Sequence, residues 1–288
     1  MIQFFSITPF ILFIITNGKI RFLTKFEFVL SLASHYGTFI LILPISVLLY
    51  ITKQQSWDTL LQITTEPIIL SVYSFTFLTA LFSTIINSLF GLILAWVLVR
   101  YEFPGKKLSD AAVDLPFALP TSVGGLTSMT VFSDKGWLKP IFSFLGIRIV
   151  FGPLGVLTAM IFVSLPFVVR TIQPVLQDME DEPEEAAQCL GASSWTTFWH
   201  ILFPPLIPSL LTGTTLGFSR ALGEYGSVAL VASNIPMKDL VISVLLFQKL
   251  EQYDYRSAAI IASSVLLMSF GTLLSINKIQ SWKGSIHK

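Results

Sequence analysis

Six apolar runs constrain this chain more than any other feature of its sequence. They lie at residues 29–51, 69–99, 115–132, 153–169, 205–231 and 257–276. A helix rises about 1.5 Å per residue and satisfies its own backbone polar groups, so about 20 apolar residues cross the ~30 Å hydrocarbon of a bilayer. The second run is longer than one crossing needs and so tilts or begins outside the core. The rest of the composition agrees: 53% of the 288 residues are hydrophobic and 12% are charged, about half the ~25% of soluble domains. The expected fold class is therefore all-α, a polytopic transmembrane helical bundle with six core spans. The third run holds Pro116, Pro120, Gly124 and Gly125, and the fifth holds Gly213, Gly217, Gly223 and Gly226. Such residues serve either close helix packing or a bend beside a pathway. An apolar stretch at 240–247, flanked by Lys238, Asp239, Lys249 and Glu251, is too short to cross and reads as a partly inserted or interfacial helix.

The basic residues set the orientation. With an even number of core spans, one side carries Lys19, Arg21, Lys25, Arg100, Lys106, Lys107, Arg170, Lys278, Lys283 and Lys288. The other carries Lys53, Lys135, Lys139, Arg148, Lys238, Lys249 and Arg256. The excess places the core termini in the cytoplasm, or in the stroma of a plastid. The segment at 4–16 is apolar but short for a span and reads as interfacial, with an extra N-terminal span as the alternative. Residues 1–6 lack the Lys or Arg of a signal peptide, and no Arg- and Ser-rich transit sequence is present, so an organellar version is expected to be made where it works. A net charge of +1 without a basic stripe argues against nucleic acid as a partner. The single cysteine, Cys189, offers neither an internal disulfide nor a metal cluster.

The loop between the fourth and fifth runs concentrates Asp178, Glu180, Asp181, Glu182, Glu184 and Glu185 within eight residues. Pro183 suits a first helical turn, and acids there suit the helix dipole. Ala186 to Leu190 continue as helix formers, Gly191 fits a left-handed stop, and Ser193 or Ser194 fits the cap of a second helix ending at Pro204 and Pro205. A solvated acidic loop is the plain alternative. The small Ala186 and Ala187, and the aromatic density of Trp195, Phe198 and Trp199, favour a docking element instead.

Here the sequence resembles a known family. Glu185-Ala186-Ala187, then Gly191, Ile201 and Pro204, follow the spacing of the "EAA" loop of type I ABC importer permeases, with Phe203 where the family usually has Leu. The runs Leu115-Pro116-Phe117-Ala118-Leu119-Pro120-Thr121-Ser122-Val123, Leu165-Pro166-Phe167-Val168-Val169-Arg170 and Arg220-Ala221-Leu222-Gly223-Glu224-Tyr225-Gly226-Ser227-Val228 look like the sulfate permease branch, and Gly223 to Gly226 look like its T-type subunit. Molybdate permeases are similar, usually with Phe where Tyr225 stands, and a molybdate or tungstate permease is the alternative. The resemblance implies a core at 68–276 containing a coupling loop at 178–204. Residues 1–28 then form an apolar segment and basic linker, 29–67 a first span and outer loop, and 277–288 a short tail. It implies an ATPase-docking set of Glu184, Glu185, Ala186, Ala187, Gly191, Ile201 and Pro204, with Ala186 and Ala187 in close contact with the ATPase. It also implies partners: a pair of ATPase subunits that carry ATP and magnesium, a W-type permease subunit and an extracytoplasmic sulfate-binding protein. No cofactor is expected on this chain. The implied home is a bacterial inner membrane or a chloroplast inner envelope.

Arg220 and Glu224 stand four residues apart in the fifth run and so share a helix face. Ionisable groups in a span turn to a partner or to a wet cavity. The pair reads either as a helix-locking ion pair or, with Tyr225, as part of the translocation path, where Arg220 attracts an oxyanion and Glu224 keeps that attraction from becoming a trap. His35, His200 and His287 show no metal spacing. The phosphate-loop pattern G-x-x-x-x-G-K-[ST] is absent, so the chain does not bind ATP by that route. An integral membrane enzyme would need paired acids or histidines facing one another in the spans. A passive channel would need no ATPase dock.

Overall fold

The computed structural model describes residues 33–133 and 136–286, and among them all regular structure is helical. The apolar segment at 4–16, the basic linker and the start of the first run lie outside the described residues, as do the last two residues of the tail. The chain divides after Trp57 into two compact units. The first contains α1 (Ala33–Lys53), an apolar helix of 21 residues with no buried residue in its Thr38–Lys53 part. Its turn at Thr38–Ile42 is a wide π turn. Pro44 follows it and brings no N–H to the carbonyl of Ile40, so the helix opens just before the proline.

From the unit boundary onward run α2 (Trp57–Thr64), α3 (Pro67–Arg100), α4 (Lys106–Val113), α5 (Leu115–Ala118), α6 (Thr121–Phe132), α7 (Lys139–Phe144), α8 (Pro153–Gln177), α9 (Glu182–Cys189), α10 (Ser194–Leu222), α11 (Gly226–Val231), α12 (Ile242–Glu251) and α13 (Tyr255–Ile286). The long helices α3, α8 and α10 pack against one another through small residues. A Cβ added to Gly91 would stand 2.9 Å from Val168 Cγ1, and one added to Gly213 would stand 2.9 Å from Val168 Cα. Without a water-driven force between helices in lipid, such close approach is what holds them. Pro166 in α8 denies an N–H to the preceding turn. Nearby, Asn87 of α3 ties the two helices together: its amide nitrogen reaches Ile161 O at 3.0 Å and Ser164 Oγ at 2.8 Å. One apolar core gathers Val72, Val156, Met160, Phe218, Val228 and Ile261, and a second gathers Leu98, Val113, Val169, Ile172, Leu176 and Leu206.

Among the described residues, five helices are long and apolar enough to cross a membrane: α1, α3, α8, α10 and the first 21 residues of α13. The sixth expected span, at 115–132, is broken. Leu119 and Pro120 are extended, and the 12 residues of α6 reach only about 18 Å. Proline drives its predecessor out of the helical region, which is why the run stops there. The fifth run is also interrupted: α10 ends at Leu222 and α11 begins at Gly226. The stretch at 240–247 is helical from Ile242, and Ile242, Val244 and Leu245 are buried in the first core rather than spread at an interface. The last helix continues past residue 276 to Ile286, where a short tail was expected.

Candidate coupling site and charged break

The acidic loop folds as helix, glycine corner, helix. In α9, Glu184 N and Glu185 N both donate to Asp181 O at 3.0 Å, and Pro183 sits in the first turn. At the other end Gly191 has φ +84°. Gly191 N donates to Gln188 O and Ala192 N to Ala187 O, each at 3.0 Å. This pair of bonds closes the helix carbonyls as a Schellman stop, and the left-handed corner favours glycine. Ser193 caps α10, its hydroxyl accepting from Thr196 N at 3.2 Å. A π turn at Phe198–Leu202 follows, again just before prolines, here Pro204 and Pro205.

Two basic side chains fix this end of the bundle. Arg100, at the last turn of α3, donates to Asp181 at 2.8 Å, stands 3.5 Å from Glu184 and lies over the Trp96 ring. Arg170 of α8 is saturated. Its Nε and one terminal nitrogen grip Asp114 at 2.7 Å, and the remaining donors reach the Asp110 carboxylate, Gln173 Oε1 and the Asp110 carbonyl. A planar fork suits such bidentate binding. The Gln173 amide and the Arg170 guanidinium together hold the Asp110 carboxyl below the usual carboxylate range. Arg170 thereby ties α4 and the start of α5 to α8.

These contacts divide the expected docking set. Glu185 and Ala186 are exposed, as is Leu190, which is 89% accessible. Glu184 turns toward Arg100, and Ala187 is buried within the chain, so Ala187 is not on the outward face where close ATPase contact was expected. Ile201 and Pro204 are half-buried in the early turns of α10. The sequence reading missed Arg100 as the counter-ion of the loop. Six acids beside a span ending in arginine were the available signal.

At the other end of α10, Glu224 is 1% exposed. It is ion-paired with Arg220 at 2.6 Å and accepts from Ser227 N at 2.9 Å and from Ser227 Oγ at 2.8 Å. The acid thus closes α10 and caps α11 at once, which explains the break between them. Within this chain Glu224 is therefore enclosed, and of the expected pair it is Arg220 that reaches the surface. Arg220 is part-exposed and gives one terminal nitrogen to the pair. Tyr225 leans on Phe247 of α12, ring centroids 5.0 Å apart. The α11 helix lies directly on α6: a Cβ on Gly125 would come within 2.8 Å of the Ser227 backbone. A second buried acid, Asp239, likewise gathers Ser233 N, Ser233 Oγ and Ile235 N, a knot the sequence reading did not foresee.

Known proteins place this arrangement. The family model described as "Binding-protein-dependent transport system inner membrane component" matches residues 87–277. A Marchantia polymorpha protein named "Probable sulfate transport system permease protein cysT" is 77% identical over 288 residues, all of both chains. A Synechocystis protein named "Sulfate transport system permease protein CysT" is 55% identical over 247 residues, 86% of each chain. Among solved structures, a chain of a bacterial alginate ABC transporter in complex with its alginate-bound periplasmic protein superposes with a TM-score of 0.69 at 16% identity, covering 88% of this chain and 93% of that one. That likeness gives the fold, a type I ABC importer permease, over 88% of the chain. The chain belongs to the binding-protein-dependent transport system inner membrane component family, as a multi-pass membrane permease subunit.

Proposed function

We propose that this chain is the permease subunit of an ATP-driven importer of sulfate, thiosulfate being a closely related cargo, in a chloroplast inner envelope or a bacterial inner membrane. The cargo rests on 77% identity across its whole length to a relative named for sulfate transport. The coupling role rests on one observation: α9 presents Glu185, Ala186 and Leu190 outward while Asp181 and Glu184 are tied back to Arg100. The partners would be a pair of ATPase subunits, a W-type permease and an extracytoplasmic binding protein that delivers the anion. ATP binding closes the ATPase pair and draws the coupling elements together. It must favour one transporter state over the other to do so. Displacement of α9 pulls on α3 through Arg100 and on α10 through the Gly191 corner. At its far end α10 carries Arg220, whose free guanidinium edge meets the incoming oxyanion. Glu224 offsets part of that attraction, so the anion is bound weakly enough to leave.

Two measurements test this. Labelled sulfate uptake in a strain lacking its own sulfate permease should be restored by this chain with its partners and survive a modest excess of molybdate. Uptake of molybdate in preference to sulfate would move the cargo to the molybdate branch. Glu185→Lys should abolish co-purification with the ATPase while leaving the thermal midpoint of the permease unchanged. ATPase binding that survives this reversal of charge would remove α9 from the coupling role.

A further inference from the structure

The second half of the coupling element does something different from the first. Trp195, Phe198, Trp199 and Phe203 form a continuous ring cluster on the opening turns of α10, with centroid separations from 4.8 Å for Trp199–Phe203 to 6.4 Å for Trp195–Phe198. The cluster faces outward: Trp195 is 71% exposed and Trp199 43%. Its depth is set by α3. Phe198 meets Trp96 edge-on at 5.5 Å, and Trp96 lies one turn inside the Arg100 end of that span. The rings therefore stand about 6 Å inside the end of an apolar helix, within the zone where hydrocarbon gives way to headgroups. Indole favours that zone, because its body is apolar while its N–H seeks an acceptor.

Charge separates the two halves. The outward side of α9 carries Glu182 and Glu185, which an anionic lipid surface repels. From Ser194 to Pro208 no acidic residue occurs, and the same helix runs directly into a membrane span. The exposed rings are thus continuous with the lipid-facing surface of the protein.

We propose that Trp195 and Trp199 bind the headgroup and glycerol layer of the cytoplasmic or stromal leaflet and fix the height of the coupling element against the membrane. The ATPase then engages the α9 side alone. The proposal builds on the coupling role of α9, and one experiment separates failure of the two. In the assembled importer, in its native membrane, p-benzoylphenylalanine replaces Trp195, Trp199 or Leu190 in turn. Each variant is irradiated and this chain is analysed by mass. The two tryptophan positions should yield glycerolipid adducts in several-fold excess over adducts with the ATPase polypeptide. Excess ATPase adducts there, or chains carrying no lipid, overturn the anchor. At Leu190 the expected adduct is the ATPase, and its absence counts against the coupling role while leaving the anchor standing. A second reading keeps the native rings. Lipids brominated next to the glycerol should quench the fluorescence of the native permease more than that of the Trp195→Phe, Trp199→Phe double variant, and equal quenching overturns the proposal.

Discussion

At the coupling end, Arg100 and Arg170 have side chains 20% and 28% exposed, and each pairs with two carboxylates, Asp181 and Glu184 for the first and Asp110 and Asp114 for the second. At the opposite end of α10, one carboxylate that is 1% exposed serves Arg220, a backbone N–H and a hydroxyl together. The first arrangement is spread out and wet. Any single pair in it contributes little, and its purpose is to hold surface elements in register. The second is concentrated and dry, so removing one group strands all the others. The difference separates two jobs: the first arrangement holds surface elements together, and the second holds the break between α10 and α11 closed.

The largest effect should come from breaking the dry knot. Glu224→Ala leaves Arg220 without its partner and Ser227 N without an acceptor, at a cost of about 3 kcal/mol. Glu224→Gln keeps an acceptor for Ser227 and should lose clearly less. Thermal unfolding of the purified permease, followed by size-exclusion fluorescence, ranks the two. Equal midpoints for Ala and the native chain would show that the break is held by packing of α11 on α6 instead. Second in size is Arg170→Ala, which frees α4 and the start of α5 from α8. Its bonds are charge-assisted but part-exposed, so the expected cost is about 1–2 kcal/mol. Protease nicking between Tyr101 and Leu119 should rise with it, while nicking within the α9 loop should not.

How much of this was legible beforehand follows from the range of the interactions. The α9 corner was readable because Pro183, Gly191 and Ser193 act on their own neighbours, through local dihedrals and caps. The long spans were readable because apolar length is a local property. At Leu119–Pro120 the prolines allowed for a bend, but mean hydropathy is indifferent to proline, so the run still read as one span. The pairing of Arg100 was signalled only by charge, six acids beside a span ending in arginine, because its partner Asp181 lies 81 positions away. The inward turn of Ala187 and the enclosure of Glu224 were not readable, because burial depends on the packing of the whole bundle. Spacing placed Arg220 and Glu224 together, and that contact is present. It could not tell that Glu224 would also cap the next helix.

The corner itself gives a smaller and cleaner test. A Cβ on Gly191 would meet nothing within 4 Å, so Gly191→Ala carries only the strain of a left-handed backbone. That strain is about 1 kcal/mol. Gly191→Asn, which tolerates this region better, should recover part of it. If both variants match the native thermal midpoint yet lose transport, the corner matters to docking geometry and not to stability.

The smallest effect distinguishes the wet end by pH. Asp110 is held below the ordinary carboxylate range first by Gln173 and then by Arg170. A group depressed in this way stabilises the fold above its unfolded value, near ~3.9, and that contribution is lost as pH falls through the lower folded value. The thermal midpoint of the native permease should therefore exceed that of Asp110→Asn at about pH 6, with the gap closing as the pH is lowered past the ordinary carboxylate value. Arg170→Gln should flatten the same dependence, because the guanidinium is one of its two main causes. The Asp110 side chain is 45% exposed, so solvent screens the interaction and the gap should be small and reduced by salt. A gap that persisted unchanged at low pH would mean that Asp110 orders α4 through neutral hydrogen bonds. The wet end would then depend on geometry, as the dry end does, and less on charge.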